Sequence, residues 1–332
     1  MNDKVTNYSM IKELRSKHSL TQRTLSEKTG VSLGTIKMVE TGRISLTSEN
    51  AQKLSHVFKC SPDIFYQSKV RNTRVITVAI QKGGAGKTAI STNLAYALSE
   101  LKQRVLFIDT DPQMNASSLL GFGKDSHPSK NFYDAYINND ALIDHIESSV
   151  YNDLDIIPGS HKLADIDLSA SHIPMRERHM DKMIHNLRLT HYYDFVVIDT
   201  NPALGLFNTS IIYSSDEVLI PVNPDQQTLD MLELFLLRLK MVQEYNDRVH
   251  LLGIVYSMRE KNKSISKSFM DTLKTTYKEK VLSTEIDRLV TVPEAVKKRL
   301  PVGVYRPHSK SAKQYRELAQ EVIKIVKKRE AK

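Results

Sequence analysis

Apolar and polar positions alternate in two different ways along the chain. In residues 9–66 the apolar positions recur every three or four residues within short segments, which predicts a group of short helices. From Arg74 onward, short runs rich in β-branched residues alternate with helical stretches, a pattern typical of a parallel sheet covered on both faces. We therefore predict a small all-α domain at 1–68, a linker at 69–74, and an α/β domain with a doubly wound, mostly parallel sheet at 75–332.

Capping residues delimit the helices of the first domain. Thr21 and Ser32 are suited to begin two successive helices, since a side-chain hydroxyl can accept a hydrogen bond from the free N–H groups of a first turn. Gly30 and Gly42 are suited to end them. The helices predicted in this domain cover residues 9–18, 22–29, 33–41, 47–58 and 62–66.

The apolar runs of the second domain predict strands of a parallel sheet. Ligands of such sheets bind beyond the carboxyl ends of the strands, so the residues that follow each run are the candidates for chemistry. The runs that we assign to strands are 75–80, 105–109, 154–158, 195–199, 218–222 and 251–258.

A glycine-rich loop follows the first of these strands and precedes a helical stretch. It reads KGGAGKT from Lys82 to Thr88, which in this context is typical of a phosphate-binding loop. Backbone N–H groups can approach phosphate oxygens there, Lys87 can reach the β and γ phosphates, and the Thr88 hydroxyl can bind Mg²⁺. We assign nucleotide binding in this loop to Gly83, Gly84, Ala85, Gly86, Lys87, Thr88 and Ala89.

Aspartates stand at the carboxyl ends of two further strands. Asp109 ends the run at 105–109, with Asp111 close behind it, and Asp199 ends the run at 195–199. A single aspartate in such a position could equally form a turn or cap a helix. Together with the phosphate-binding loop, the three predict a magnesium site, because a carboxylate at a strand end can hold water bound to Mg²⁺.

Charge is distributed unevenly over the 332 residues, whose formal net charge is +9. Residues 1–72 carry 12 basic and 6 acidic side chains, and residues 297–332 carry 12 and 3, so the middle of the chain is acidic. Basic ends predict contact with nucleic acid, with a solvated basic face as the alternative. Cys60 is the single cysteine and no apolar run reaches the ~20 residues that span a bilayer, so we expect a cytoplasmic protein.

Residues 20–43, LTQRTLSEKTGVSLGTIKMVETGR, and SPDIFY at 61–66 resemble the Cro/repressor-type helix-turn-helix family. The resemblance implies that the helix after Ser32 enters the major groove of an operator and that Gln22 binds a phosphate. The DNA contacts that we assign to this domain are Gln22, Ser32, Leu33, Gly34, Thr35, Lys37 and Met38. Few of these side chains can hydrogen-bond base edges, so we expect recognition to use thymine methyl groups and DNA shape. A small helical interaction domain is the alternative.

The second domain resembles the ParA family of DNA-partition ATPases, part of the deviant Walker superfamily that also contains MinD. The motifs that carry the resemblance are KGGAGKT, DTDPQMNASS at 109–118, the strand–Asp–Thr–X–Pro segment at 195–202, and SKSAKQYRELAQEV at 309–322. The resemblance implies that ATP and Mg²⁺ bind, and that two ATP-bound copies form a sandwich homodimer.

Site roles also follow from this resemblance. Lys82 is expected to reach the partner's nucleotide and to neutralise charge in the transition state, and Asp111 to orient the attacking water. Asp109 and Asp199 are expected to support Mg²⁺ through bound water, and residues 199–205 to form a switch that senses the γ-phosphate. The loop near the adenine in the family corresponds to Pro221 and Asn223.

The sequence departs from the family pattern in several places. Asn201 stands where the family has the first of two prolines, which predicts a looser switch. Residues 286–289 lack the usual proline and asparagine, so we assign no base or DNA contact there. Position 291 lacks the arginine that some relatives carry on a DNA-binding surface. We assign that surface instead to Lys297, Lys298 and Arg299, together with Arg306, Lys310 and Lys313.

Taken together, these features predict a partition ATPase that also represses its own operon. The resemblance implies sequence-independent DNA binding by the ATP-bound dimer, stimulation by a ParB-like centromere-binding partner, and a nucleoid-associated location. An ATP-sensing repressor without a role in segregation is one alternative. A MinD-like membrane-positioning ATPase is another, because the last helix has an apolar face. We expect that face to pack in the core rather than on lipid, since it lacks bulky interfacial aromatic residues such as Trp and Phe.

Overall fold

A computed structural model of the chain forms two compact units, Met1–Val70 and Arg71–Lys332. We describe residues 4–41, 43–68, 71–122, 130–203, 205–260 and 264–331. Each unit is described by itself.

The described residues of the first unit form four short helices, a 3₁₀ turn and a pair of antiparallel strands. The helices are α1 (Tyr8–Lys17), α2 (Gln22–Thr29), α3 (Leu33–Glu40) and α4 (Ser48–Phe58), followed by the turn at Pro62–Phe65. Strand β1 (Lys4–Thr6) pairs with β2 (Tyr66–Ser68). The helices are confirmed to within a residue or two at each end. The strand pair was not predicted, because three residues a strand are too few to show a period.

Thr21 and Ser32 cap the helices α2 and α3, as predicted from the sequence. The hydroxyls of Thr21 and Ser32 each accept a hydrogen bond from the backbone N–H three residues later, both at 3.1 Å. Gly30 ends α2 with a φ of 71°, a conformation in which a residue with a side chain would be strained. Gly42, predicted to end α3, lies outside the described residues. The core between the helices consists of Ile11, Leu25, Val31, Ile36, Val39, Leu46, Ala51, Leu54, Phe58 and Phe65.

The second unit is a sheet with helices on both faces. Its strands are β3 (Arg74–Val78), β4 (Val105–Asp109), β5 (Glu147–Ser148), β6 (Leu154–Ile157), β7 (Phe195–Asp199), β8 (Glu217–Val222), β9 (His250–Arg259) and β10 (Val281–Asp287). Its helices are α5 (Lys87–Glu100), α6 (Asn115–Leu119), α7 (Phe132–Asn138), α8 (Ile166–Ser169), α9 (Arg176–Arg188), α10 (Leu206–Ser214), α11 (Gln226–Tyr245), α12 (Ser264–Tyr277), α13 (Thr291–Lys297), α14 (Val302–Tyr305) and α15 (Lys310–Glu330).

The described strands lie in the order β10-β9-β8-β3-β7-β4-β6-β5, and only the β5–β6 pair is antiparallel. Strand β3, which leads into the glycine-rich loop, is central, with β7 and β8 on either side of it. The predicted mostly parallel, doubly wound α/β fold is therefore confirmed. All six predicted strands are present, whereas β5 and β10 were missed.

The predicted linker is shorter than expected. Residues 69 and 70 lie outside the described residues, but Arg71 and Thr73 are buried in the second unit. The guanidinium of Arg71 pairs with Asp194 at 3.2 Å, and the Thr73 hydroxyl donates to the backbone oxygen of Tyr193 at 2.7 Å. Arg74 already begins β3. These contacts make residues 71–74 part of the α/β unit.

Helix α15 packs against the sheet and covers its edge. Its apolar face, which includes Tyr315, Leu318 and Val322, is buried in the core, as the sequence predicted. In the described part of the chain no helix is both long and apolar enough to cross a membrane. Toward the edge strand β10, the Glu321 carboxylate accepts hydrogen bonds from the backbone N–H groups of Ser283 and Thr284 at 2.8 and 2.9 Å.

Candidate functional site

The glycine-rich loop runs between the central strand β3 and helix α5. Gly84 and Gly86 have φ angles of 72° and 88°, which L-residues with side chains rarely adopt. Gly86 is also the residue before the first turn of α5, and no side chain caps that turn. The free N–H groups and the positive end of the helix therefore remain available to an anion.

Lys87 is buried at the base of this loop. Its Nζ donates a hydrogen bond to the backbone oxygen of Lys82 at 2.8 Å. Burial lowers the pKa of Lys87, while the negative charges of Asp199 and Asp111 oppose that shift. Binding of a polyanion stabilises the charged form of a lysine in such a setting, because a phosphate carries a negative charge and a backbone carbonyl does not.

Asp199 and Asp109 lie side by side at the ends of neighbouring strands. They are paired in register between β7 and β4, and Asp199 is in register with Val78 of β3 on its other side. Both carboxyls are fully buried. Burial raises the pKa of Asp109, and the charge of Asp111 adds to that shift. Burial and the charge of Asp109 raise the pKa of Asp199. Two buried carboxylates this close need a cation or a proton nearby.

The two oxygens of Asp199 differ in their surroundings. Ser91 Oγ donates to Oδ1 at 2.9 Å. Among the described residues, no donor has the distance and angle of a hydrogen bond to Oδ2. The Thr88 hydroxyl also faces this carboxyl, since its hydrogen bond lowers the pKa of Asp199 in opposition to burial. An orphaned carboxylate oxygen beside a threonine hydroxyl is a donor set that suits Mg²⁺.

Asp109 differs from Asp199, because hydrogen-bond donors of the chain itself bind both of its carboxylate oxygens. Ser117 donates to Oδ2 from its N–H at 2.8 Å and from its hydroxyl at 2.6 Å, and the Asp111 N–H donates to Oδ1 at 3.1 Å. Asp109 thereby organises the loop that carries Asp111. Gly159 presses against this loop, since a Cβ at Gly159 would stand 3.2 Å from the Asp109 Cγ.

Lys82 binds a different part of the same unit. Its Nζ pairs with the carboxylate of Asp225 and donates to Thr228 Oγ1 at 2.8 Å, and Thr228 in turn donates to Asn223 Oδ1 at 2.7 Å. Asp225 is the capping residue of α11. These contacts were not predicted, because nothing in the sequence pairs a loop lysine with a cap more than a hundred residues away.

A cavity of about 1140 Å³ adjoins the loop at Gly86 and Ala89. The carboxyl ends of β9 and β10 form its other walls, at residues 257–260 and 286–290. Pro221 and Asn223 do not line it. Asn223 is linked instead through Thr228 to Lys82, at the start of the glycine-rich loop. The strand-end rule applied to the run at 251–258 could have indicated Ser257 and Met258. The wall at 286–290 was not assigned because residues 286–289 lack the proline and asparagine of the family pattern.

Asn201 lies in a well-bonded turn, not in the looser segment that the sequence predicted. Its Oδ1 accepts hydrogen bonds from the N–H of Ala203 at 2.9 Å and from Asn208 Nδ2 at 2.7 Å. A proline at this position would restrict the backbone through its ring. Here the hydrogen bonds of the Asn201 side chain restrict it instead.

Some of the predicted DNA-contact residues of the first unit are exposed, whereas others are held by contacts within the unit. Gly34, Lys37 and Met38 are exposed on α3, and Leu33 and Thr35 are half-buried. Ser32 and Thr35 bond to each other at 2.8 Å in the helix cap. The Gln22 side chain donates to Glu40 Oε2 at 2.7 Å, so it is held within the unit.

The predicted basic surface of the second unit is also divided. Lys297, Lys298 and Arg299 are exposed at the end of α13. Arg306 pairs with Glu294 at 3.2 Å, and Lys310 pairs with the buried Asp287. The pairs reduce the net positive charge that the latter two residues present to solvent.

Comparison with known proteins identifies the family. A family model described as an AAA domain matches residues 73–251, and one described as a helix-turn-helix matches residues 11–65. The sporulation initiation inhibitor protein Soj of Bacillus subtilis (strain 168) is 32% identical over 250 residues, which cover 75% of this chain and 98% of Soj. The chromosome partitioning protein ParA of Caulobacter vibrioides (strain NA1000 / CB15N) is 29% identical over 260 residues, which cover 78% and 97%. The chain belongs to the ParA/Soj family.

A solved structure of the wider ParA/MinD group supports the fold. The septum site-determining protein MinD of Pyrococcus horikoshii OT3, complexed with Mg-ADP, superimposes with a TM-score of 0.62 at 25% identity, covering 76% of this chain and 97% of MinD. Within the ParA/Soj family, this chain combines the P-loop domain with a helix-turn-helix unit.

Proposed function

We propose that this protein is a Mg²⁺-dependent ATPase of DNA partition whose ATP-bound form is a face-to-face dimer. The observation that carries the proposal is the meeting of Lys87, Thr88 and the orphaned Asp199 Oδ2 at the carboxyl ends of the central strands. The relatives named above support it, since they are a chromosome partitioning protein and a protein of the same fold complexed with Mg-ADP.

The residues of the site fit ATP and Mg²⁺. The N–H groups from Gly83 to Thr88 would form the phosphate cradle, and the cavity beside Gly86 and Ala89 would take the rest of the nucleotide. Thr88 and Asp199 would hold the ion, Asp199 through water, and Asp109 would support them from the next strand. Bound Mg²⁺ neutralises charge on the phosphate oxygens. Few carboxylates are needed, because Mg²⁺ takes its remaining ligands from substrate phosphates and water.

The chain's own residues then prepare the γ-phosphate for attack by water. Lys87 neutralises the β and γ phosphates from within the protomer. Asp111, on the loop that Asp109 organises, orients the attacking water. Lys82 leaves Asp225 and crosses to the nucleotide of the second copy, where it stabilises the charge of the transition state. Residues 199–205 respond to the presence of the γ-phosphate.

DNA enters this scheme twice. The exposed face of α3 binds the operator and represses the protein's own operon, and the ATP-bound dimer binds DNA of any sequence through Lys297, Lys298 and Arg299. A ParB-like centromere-binding protein stimulates hydrolysis and releases the dimer from DNA. The protein therefore works in the cytoplasm on the nucleoid.

The test is ATP turnover with and without DNA and the product of the adjacent downstream gene. Turnover should be slow alone and rise with both. Lys82→Ala should abolish the stimulated turnover while leaving most of the nucleotide affinity, and Lys102→Ala, an exposed lysine after α5, is the matched control. Unchanged stimulation of Lys82→Ala would overturn the crossing role of Lys82.

An ATP-sensing repressor is the second candidate, because the exposed face of α3 suits operator binding without any role in segregation. Plasmid or chromosome loss in a deletion strain supports partition, whereas derepression of the operon alone supports the repressor. Removing residues 1–68 should abolish operator binding and spare ATP-dependent binding to random DNA. Loss of both would contradict separate DNA surfaces.

A further inference from the structure

One buried amide holds the loop between β7 and α10. The Asn208 side chain, 8% exposed, extends from the first turn of α10 toward this loop. Its Nδ2 lies 2.7 Å from Asn201 Oδ1, 2.8 Å from the backbone oxygen of Ala203 and 3.3 Å from that of Asn201. Three acceptors of the loop thus converge on a single donor group.

The orientation of the Asn208 amide follows from these partners. Nitrogen is the only atom of the amide that can donate, so it must be the atom that faces the three acceptors. An oxygen in its place would face three other oxygens at hydrogen-bond distance. The interaction therefore requires a donor at position 208, and shape alone does not satisfy it.

Asn208 stands on a helix end that is itself fixed. The residue before α10, Gly205, has no side chain to cap the helix, and the carboxylate of Asp167 takes over by accepting from the Phe207 N–H at 2.9 Å. Gly205 packs so tightly there that a Cβ would stand 1.7 Å from Asp167 Oδ2. The first turn of α10 is thereby tied to a neighbouring segment.

The other end of the loop is tied to the strand before the glycine-rich loop. Thr200 Oγ1 donates to the backbone oxygen of Val78 at 2.8 Å, directly after Asp199. The chain from 200 to 203 therefore bridges the nucleotide side of the sheet and α10, and Asn208 is the group that fixes its course between the two ends.

The same residues form part of the wall of a second cavity, of about 420 Å³. Asn201 and Asn208 share that wall with Gln81, which precedes Lys82, and with Arg238 and Met241 of α11. A change in the course of the loop would alter this cavity, and the cavity borders both the start of the glycine-rich loop and α11.

We propose that Asn208 is a positioning residue for hydrolysis: it holds the loop after Asp199 in the conformation from which the γ-phosphate is attacked. This inference rests on the proposed ATPase function. Asn208 touches no reacting atom, and it acts through Asn201 and Ala203. Loss of its donor leaves the nucleotide-binding groups in place but lets the loop take other courses.

The principal variant is Asn208→Asp, which keeps the shape and removes the donor. At saturating ATP, kcat should fall about tenfold, which corresponds to about 1.4 kcal/mol on the barrier, while KM and the Kd of a non-hydrolysable ATP analogue stay within about twofold. Amide hydrogen exchange should accelerate at Thr200, Asn201 and Ala203. Asn152→Asp, which adds the same negative charge at an exposed turn between β5 and β6, should keep a kcat near that of the wild type.

Asn201→Ala removes the Oδ1 that accepts from Asn208 Nδ2 and from the Ala203 N–H, and it serves if Asn208→Asp does not fold. Its kcat should also fall, though less, because the two bonds from Asn208 to backbone oxygens remain. Asn201→Ala/Asn208→Ala should lose less than the sum of the losses in Asn201→Ala and Asn208→Ala, because the two residues share one hydrogen bond. A wild-type kcat in Asn208→Asp and Asn201→Ala would overturn the inference, and so would additive losses. A wild-type protein that hydrolyses no ATP would instead overturn the proposed function.

Discussion

Lys82 and Asp225 form an ion pair that joins the start of the glycine-rich loop to the cap of α11. The Lys82 side chain is only 11% exposed in this pair, and the hydrogen bond from Lys82 lowers the pKa of Asp225. If Lys82 serves the nucleotide of a second copy, as we propose, this pair must first open. It therefore competes with dimer formation.

Weakening the ion pair should speed turnover in the absence of a partner. Asp225→Asn keeps an oxygen to cap α11, where Oδ1 accepts from the Gln227 N–H at 3.0 Å, but loses the charge that holds Lys82. Because partly exposed ion pairs are worth about 0.2–1 kcal/mol, we expect basal turnover to rise up to about fivefold. Steady-state ATPase assays measure this. Asp230→Asn, which removes one exposed charge from the same helix, is the control. Equal rates in both variants would contradict the competition.

Gly159 should be intolerant of a side chain. In Gly159→Ala the added Cβ would stand 3.2 Å from the Asp109 Cγ and 3.3 Å from the Asp111 backbone oxygen, which displaces the loop that carries Asp111. Such overpacking costs about 1–3 kcal/mol of stability. We expect turnover to fall more than nucleotide affinity. Gly34→Ala, where the Cβ would meet only Ser32 Oγ at 3.9 Å, is the matched change for thermal melts. Normal turnover in Gly159→Ala would contradict the role of Asp111 in hydrolysis.

The basic end of α13 should set the salt dependence of non-specific DNA binding. Each phosphate contact contributes about 0.9 to the slope of log K against log salt. Replacing Lys297, Lys298 and Arg299 with alanine should therefore lower that slope by up to about 3 and weaken binding to all sequences alike. Fluorescence anisotropy with random duplex at several salt concentrations measures this. Lys278→Ala/Lys280→Ala, on another exposed basic turn, should leave the slope unchanged. If instead the slope fell only in Lys278→Ala/Lys280→Ala, the non-specific DNA contacts would lie at that turn.

The stability of the first unit should depend on the charge of Glu40. Burial raises the pKa of this carboxyl, but the hydrogen bonds from Arg15 and Gln22 and the Arg15 charge outweigh it, so the pKa is lowered. The pairing with Arg15, at 2.7 Å, therefore stabilises the fold above the unfolded pKa of about 4.3 and is lost as the pH falls through the folded value.

Glu40→Gln should cost the first unit about 2 kcal/mol at pH 7, and the difference from the wild type should shrink toward pH 3. Urea titrations followed by the amide NMR signals of α1–α4 measure both. Glu49→Gln, which breaks an exposed pair with Lys53, should have little effect at either pH. A difference for Glu40→Gln that persisted unchanged at pH 3 would assign the loss to packing instead of charge.

The sequence predicted the parts of the site that depend on local pattern. Strand, glycine loop and helix follow one another in the chain, and the strand-end rule places Asp109 and Asp199 at one edge without knowledge of the strand order. Strand β10 was missed because its exposed and half-buried positions, such as Ser283 and Glu285, interrupt the apolar run. An edge strand has only one neighbour and tolerates such residues.

Contacts between distant segments could not be predicted. The partner of Lys82, the donor that stiffens Asn201 and the carboxylate that caps α10 all come from residues whose proximity depends on the folded topology. Asn201 illustrates the error that follows. Taken alone, an asparagine in place of a proline predicts a looser chain, whereas three hydrogen bonds to Asn208 fix it.

The hydrogen bonds between β10 and the Glu321 carboxylate of α15 have a consequence for association between copies. The outer N–H groups of Ser283 and Thr284, which would otherwise invite a strand from another molecule, are already occupied by this side chain. If many copies gather on one length of DNA, as we propose, their sheets therefore cannot join edge to edge at these two N–H groups, and contacts between copies are left to other surfaces.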